Sequence, residues 1–218
     1  MKKENRISRK NKRIIIQGTM TLLVIAMVFI FATYLFERSR IYERCKSSCV
    51  YVCTKGGYGR GVILEVSDSE IVVATAHHVS SDWDEDGYIE FVDGTRAFGQ
   101  RFGADEHYDV EFISVPIDEV SSDTIEKITP VSYVNQNATK CISFSGDKVI
   151  KGDVISYDEF MYEFDKQMMY GRMKVDEGMS GAPIFDTKGQ LLGMILAGND
   201  EGDFAAVNSM DILKCLGN

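Results

Sequence analysis

Hydrophobic and polar positions follow two different patterns along the chain. Residues 14–36 run for 23 positions without a charge. A helix of about 20 apolar residues crosses the roughly 30 Å hydrocarbon core of a bilayer. No polar face interrupts the run, so it predicts a spanning helix rather than the core helix of a globular domain. A polar spacer follows at 37–48. Beyond it the chain breaks into short apolar runs with turn residues between them, at 50–53, 62–66, 71–76, 88–92, 110–115, 131–134, 140–144, 153–157, 168–175, 182–185, 191–197 and 204–207. Ser67-Asp68-Ser69 marks a hairpin between the second and third runs. Many short strands at close spacing predict an all-β antiparallel sandwich or barrel. One helix is expected at the end, with Ser209 as cap, Ile212, Leu213 and Leu216 as apolar face and Gly217 as stop. Residues 119–127 have weaker helical character.

Charge gives the span a direction. Residues 1–13 hold seven Lys/Arg against Glu4, and far fewer cations follow the run. By the positive-inside rule the N-terminus is cytoplasmic and the remainder lies outside. A cleaved signal peptide has an apolar region of about 7–15 residues and a small-residue cleavage site. This run is longer and ends Tyr34-Leu35-Phe36-Glu37, so a signal anchor is expected in the cell membrane. The chain has 24 Lys/Arg and 33 Asp/Glu; removing seven and one for residues 1–36 leaves 17 against 32 and a net charge of about −15. An acidic domain of this kind disfavours nucleic acid and anionic lipid as partners. Its five cysteines, Cys45, Cys49, Cys53, Cys141 and Cys215, are odd in number and leave one thiol over. A disulfide within the first three, or between Cys141 and Cys215, is expected. Zinc is not, because three such thiols lack a fourth nearby ligand.

Candidate chemistry lies in three short stretches. Gly178-Met179-Ser180-Gly181-Ala182-Pro183 sets a serine among glycines, where a substrate can approach and backbone amides can turn toward a reacting atom. Thr75-Ala76-His77-His78-Val79 places two of the three histidines at the end of an apolar strand. Tyr108-Asp109-Val110 precedes another apolar strand. His, Asp and Ser in that order is one of the known orders of the acyl-transfer triad.

With those residues in view, 71–79 resembles the Thr-x-x-His strand end of trypsin-like serine peptidases, closest to the bacterial HtrA-type branch. Residues 108–115 resemble the family's Asp and apolar strand, and 178–183 its Gly-x-Ser-Gly-Gly-Pro, with Ala182 for the second glycine. The resemblance covers about 50–215. It implies two antiparallel six-stranded β-barrels, at about 49–117 and 130–218, within one protease domain spanning 49–218. It assigns His78 as base, Asp109 as orienting acid and Ser180 as nucleophile, with the amides of Gly178 and Ser180 as oxyanion donors. It places Lys174, Leu196 and Gly198 around the substrate pocket. His77 and His107 are left as packing and loop residues. Met179 stands where the digestive enzymes carry the acid that receives a new N-terminus, so no such activation is implied. The partner is a protein or peptide substrate, and no metal or organic cofactor is required. The competing expectation is a binding or sensor module on the same fold, inactive or activated by a partner.

Overall fold

A computed structural model describes residues 2–133 and 137–217, with side chains from residue 17 onward apart from Tyr133. The cationic side chains of residues 2–13 therefore lie outside the described part. The chain divides into two units, Met1–Ile41 and Tyr42–Asn218. Helix α1, Lys2–Ser47, makes up the first unit and continues into the second. Its 18 most apolar consecutive residues have a mean hydropathy of 2.3, and none is buried, so by length and composition it can cross a membrane.

The second unit holds two antiparallel sheets. The first contains β1 (Cys49–Thr54), β2 (Gly57–Val66), β3 (Glu70–Ala76), β4 (Tyr88–Glu90), β5 (Arg96–Phe98), β6 (Gln100–Asp105) and β7 (Val110–Pro116). Its order is β5-β4-β1-β2-β3-β7-β6, a curled half-barrel with no ladder joining β5 to β6. The second contains β8 (Ser132–Tyr133), β9 (Lys140–Ser145), β10 (Lys148–Met161), β11 (Lys166–Arg172), β12 (Pro183–Asp186), β13 (Gln190–Gly198) and β14 (Asp203–Asn208). The order β12-β9-β10-β11-β14-β13 closes through β12–β13 into a six-stranded barrel, and β8 joins β13 in parallel. The architecture is the expected chymotrypsin-like one, with full closure in the second half. The predicted strand at 131–134 survives as β8, and its last residue lies outside the described part.

Burial explains why the central strands form. In β3 and β7, residues 71–74 and 110–113 are buried almost without interruption, as central strands covered on both faces must be. Val52, Ile63, Val73, Ile89, Phe91 and Ile113 pack one core, and Met169, Met179, Ile184, Leu192, Ile195 and Phe204 pack the other. Each such side chain contributes about 1.5–3 kcal/mol by leaving water. Three short helices complete the fold: α2 (His77–Ser80), α3 (Ser122–Ile125) and α4 (Ser209–Leu216). The helical character expected at 119–127 condenses to α3. In α4 the cap is Asn208, whose side chain accepts from Asp211 N at 3.0 Å, while Ser209 is buried within the helix. An amide oxygen reaches the third residue as well as a hydroxyl does, so the cap moves back by one.

All five cysteines are free thiols, a correction to the expected disulfide. Cys49 and Cys53, both in β1, are four residues apart, about 13 Å along a strand, whereas a disulfide needs Cα atoms within about 7 Å. Burial pushes the Cys141 thiol up to about 12 and, with Asp105 nearby, the Cys215 thiol to about 11. A raised folded pKa makes a contribution that is complete below the unfolded value near 9 and is lost as pH rises toward the folded value. Stability should therefore fall between pH 9 and 12 by roughly 1.4 kcal/mol per unit for Cys141. Urea midpoints measured across that range should show a shallower decline in Cys141→Ala.

Candidate active site

The first half of the site is set by one residue. Asp109 opens β7 with φ +57°, a left-handed angle uncommon outside glycine. Its carbonyl accepts from His77 N at 3.1 Å, carrying the β3–β7 ladder one step past the Ala76–Val110 pair. Its carboxylate accepts from His78 N at 2.9 Å through Oδ1, and Oδ2 lies 2.7 Å from His78 Nδ1. A carboxylate only accepts, so Nδ1–H is the donor of this bond, and in the neutral ring Nε2 is then the acceptor. Across the gap between the sheets, Lys166 Nζ donates to His107 O at 2.7 Å. Burial holds this ammonium below the usual lysine pKa, with Asp109 and Asp105 opposing the shift.

Ser180 arrives from the second sheet through backbone contacts. Arg60 N in β2 donates to Ser180 O at 2.8 Å, and Gly181 N donates to Ile195 O at 2.8 Å. Gly181 has φ +84°, and a Cβ there would stand 2.0 Å from Arg60 O and 2.8 Å from Thr75 Oγ1. Thr75 Oγ1 in turn donates to Arg60 O at 2.6 Å. A Cβ on Gly59 would meet Val79 at 2.6 Å and Ser180 O at 2.8 Å. Val79 follows His78 directly, so the glycines of β2 bring the two halves together. The Ser180 hydroxyl donates to Leu196 O at 3.3 Å; among the described residues no hydrogen bond joins it to His78. Gly178 has φ +78° and packs against Tyr58, where a Cβ would lie 2.5 Å from the ring. Among the described residues the amides of Gly178 and Ser180 donate to no protein acceptor. Met179, between them, is buried in the barrel core.

The substrate-pocket expectation fares differently. Lys174 is 87% exposed, and its ammonium lies 3.9 Å from Asp176. Met173 is buried and Val175 packs on the core, so alternation turns residue 174 outward, away from any pocket floor. Leu196 is buried and meets Ser180 through its carbonyl. A Cβ on Gly198 would stand 2.5 Å from Val175 Cβ, so Val175 fills the space beside it. Gly198 also lines a cleft of about 470 Å³ with Phe160, Tyr162, Phe164, Tyr170 and Asp203 among others. His77 turns from Asp109 and places Nδ1 2.8 Å from Glu111 Oε2. Sequence reasoning passed over Glu111; its signal was a lone carboxylate inside the apolar stretch 110–115.

A sequence model of the trypsin-like peptidase domain matches residues 59–194. A search of curated protein sequences returns no match. Solved structures similar to this chain include the Rv3671c protease of M. tuberculosis H37Rv in an inactive form, at 14% identity, covering 81% of this chain and 88% of that one with a TM-score of 0.63. Deg5 is similar at 16% identity, covering 83% and 92% with a TM-score of 0.65. The HtrA-type protease AlgW with a tripeptide is similar at 16% identity, covering 83% and 62% with a TM-score of 0.70. At these identities the likeness is one of fold.

The close approach at Gly181 generates a sharp expectation. Gly181→Ala adds a methyl both at a left-handed angle and against the Arg60 carbonyl, and should cost about 2–3 kcal/mol or more. Thermal unfolding should show a midpoint at least about 5 °C lower. An unchanged midpoint would mean that the two sheets do not meet at this glycine.

Proposed function

The chain belongs to the trypsin-like peptidase family, and on that footing we propose that it is a membrane-anchored serine endopeptidase working outside the cytoplasm. Residues 14–36 anchor it, with the basic N-terminus inside and the protease domain outside. Ser180 Oγ attacks the carbonyl carbon of a peptide bond in a protein or peptide substrate. His78 Nε2 takes the serine proton and delivers it to the leaving amine. Water then attacks the acyl-enzyme with His78 again as base, releasing the acid and restoring Ser180. Asp109 fixes the tautomer and stabilises the imidazolium that forms. The free amides of Gly178 and Ser180 donate to the oxyanion, each worth on the order of 10²–10³ in rate.

The observation that carries this reading is the double hold of Asp109 on the backbone and ring of His78, which occupies Nδ1 and reserves Nε2 for the serine proton. The bond from Ser180 to Leu196 O favours the second reading, a binding or sensor module whose serine is turned from its base. Hydrogen bonds of this kind are often long or misaligned without substrate and tighten when it binds.

Fluorophosphonate labelling of the full chain in detergent separates the two. Wild type should be labelled at Ser180, Ser180→Ala should not, and Asp109→Asn should react slower by about 10³–10⁴. A folded wild type that takes no label, or equal labelling of Ser180→Ala, sinks the enzyme reading.

A further inference from the structure

Among the buried groups that the proposed chemistry leaves unused is a carboxylate close to the site. Glu111 is 1% exposed, the second residue of β7, between Val110 and Phe112, both also buried. A carboxylate removed from water is tolerated only when it is paired and hydrogen-bonded. Both partners of Glu111 meet it at the same oxygen. Arg101 Nη2 on β6 lies 2.9 Å from Oε2, and His77 Nδ1 lies 2.8 Å from it.

Those partners hold the two ends of α2. This helix is a single turn, and Ala76 before it supplies no side-chain cap. One turn has little stability of its own. At its start, His77 is drawn to Glu111. At its end, Arg101 Nη1 donates to Ser80 O at 3.3 Å, and Ser80 Oγ donates back to His77 O at 3.3 Å. Glu111 is therefore the common point to which both ends are tied. His78 lies between them, its own ring left to Asp109.

We infer that Glu111, acting through Arg101 and His77, is the positioning residue that fixes the orientation of α2 and so aims the ring of His78 between Asp109 and Ser180. The inference rests on the reading of His78 as the base. Adjacent histidines thereby divide the work: one binds a buried anion to hold the turn in place, and the other is free to exchange protons. Glu111 touches no substrate and takes no part in bond making.

The test uses the full chain in detergent and two readouts. One is the far-downfield proton resonance of an imidazole Nδ1–H bonded to a carboxylate, assigned to His78 by its loss in His78→Ala. The other is the second-order rate of Ser180 with an alkyl fluorophosphonate. Glu111→Gln should broaden or abolish the resonance and slow the reaction about 10- to 100-fold, the scale expected for a displacement near 1 Å. His77 is 24% exposed, and its variants leave Glu111 paired with Arg101, so they give a second route with folding checked by circular dichroism. His77→Leu should reproduce both losses, and His77→Gln, which keeps a donor toward Glu111, should restore most of the rate and the resonance. Wild-type behaviour in Glu111→Gln or His77→Leu overturns the inference, as does a slowed reaction with an intact resonance or equal losses in His77→Gln and His77→Leu. If wild type itself takes no fluorophosphonate, the proposed activity fails while the resonance still decides the role of Glu111.

Discussion

Asp109 adopts a backbone angle that costs a non-glycine residue roughly 1–3 kcal/mol, and it does so where β7 begins and α2 ends its approach. Three hydrogen bonds to His77 and His78 offset that cost, two of them made by an ionised group and worth about 1.5–3 kcal/mol each. With ordinary extended geometry, the carboxylate would follow the pleat of β7 and leave α2. The left-handed turn instead brings both oxygens to one histidine, one to its backbone and one to its ring. The last step of the β3–β7 ladder and the bond at His78 Nδ1 both depend on this residue.

Much of this was legible in sequence, because the features that position the site are encoded locally. Apolar runs found β3, β7, β12 and β13, which bury nearly every side chain. The Thr-x-x-His spacing selected His78 over His77, and the structure gives Asp109 to His78. Two strands escaped notice. In β6 most side chains are at least partly exposed, and Gln100-Arg101-Phe102-Gly103 offers no alternation to read. β5 is three residues long with only Ala97 buried. Both lie at sheet edges, where backbone pairing rather than side-chain burial makes the strand. The exposure of Lys174 was hidden for a related reason: it is decided by the burial of Met173 and the packing of Val175 on the core. Glu111 was hidden because its partners, Arg101 and His77, come from two other elements.

Residue 179 shows how the second barrel supports its loop without help from a chain terminus. Met179 sits in the core between two amides that face away from protein acceptors. Its sulfur accepts from Asp176 N at 3.4 Å, so the turn from 176 to 180 closes on itself. Burial of Met179 anchors this turn from below, and at its start the Asp176 carboxylate accepts from Ser145 Oγ at 3.2 Å and lies 3.9 Å from the Lys174 ammonium.

The seam at Arg60, Thr75 and Gly181 also sets an order of events. Every contact that places Ser180 against the first sheet joins residues more than a hundred positions apart. A chain made from its N-terminus contains His77, His78 and Asp109 long before residue 180 exists. During that interval the base stands beside empty space where its nucleophile will later arrive. On the proposed reading the unfinished domain has no hydrolytic chemistry, so neither it nor its neighbours are at risk while the chain is threaded across a membrane. On that reading the triad is complete only when the second barrel closes.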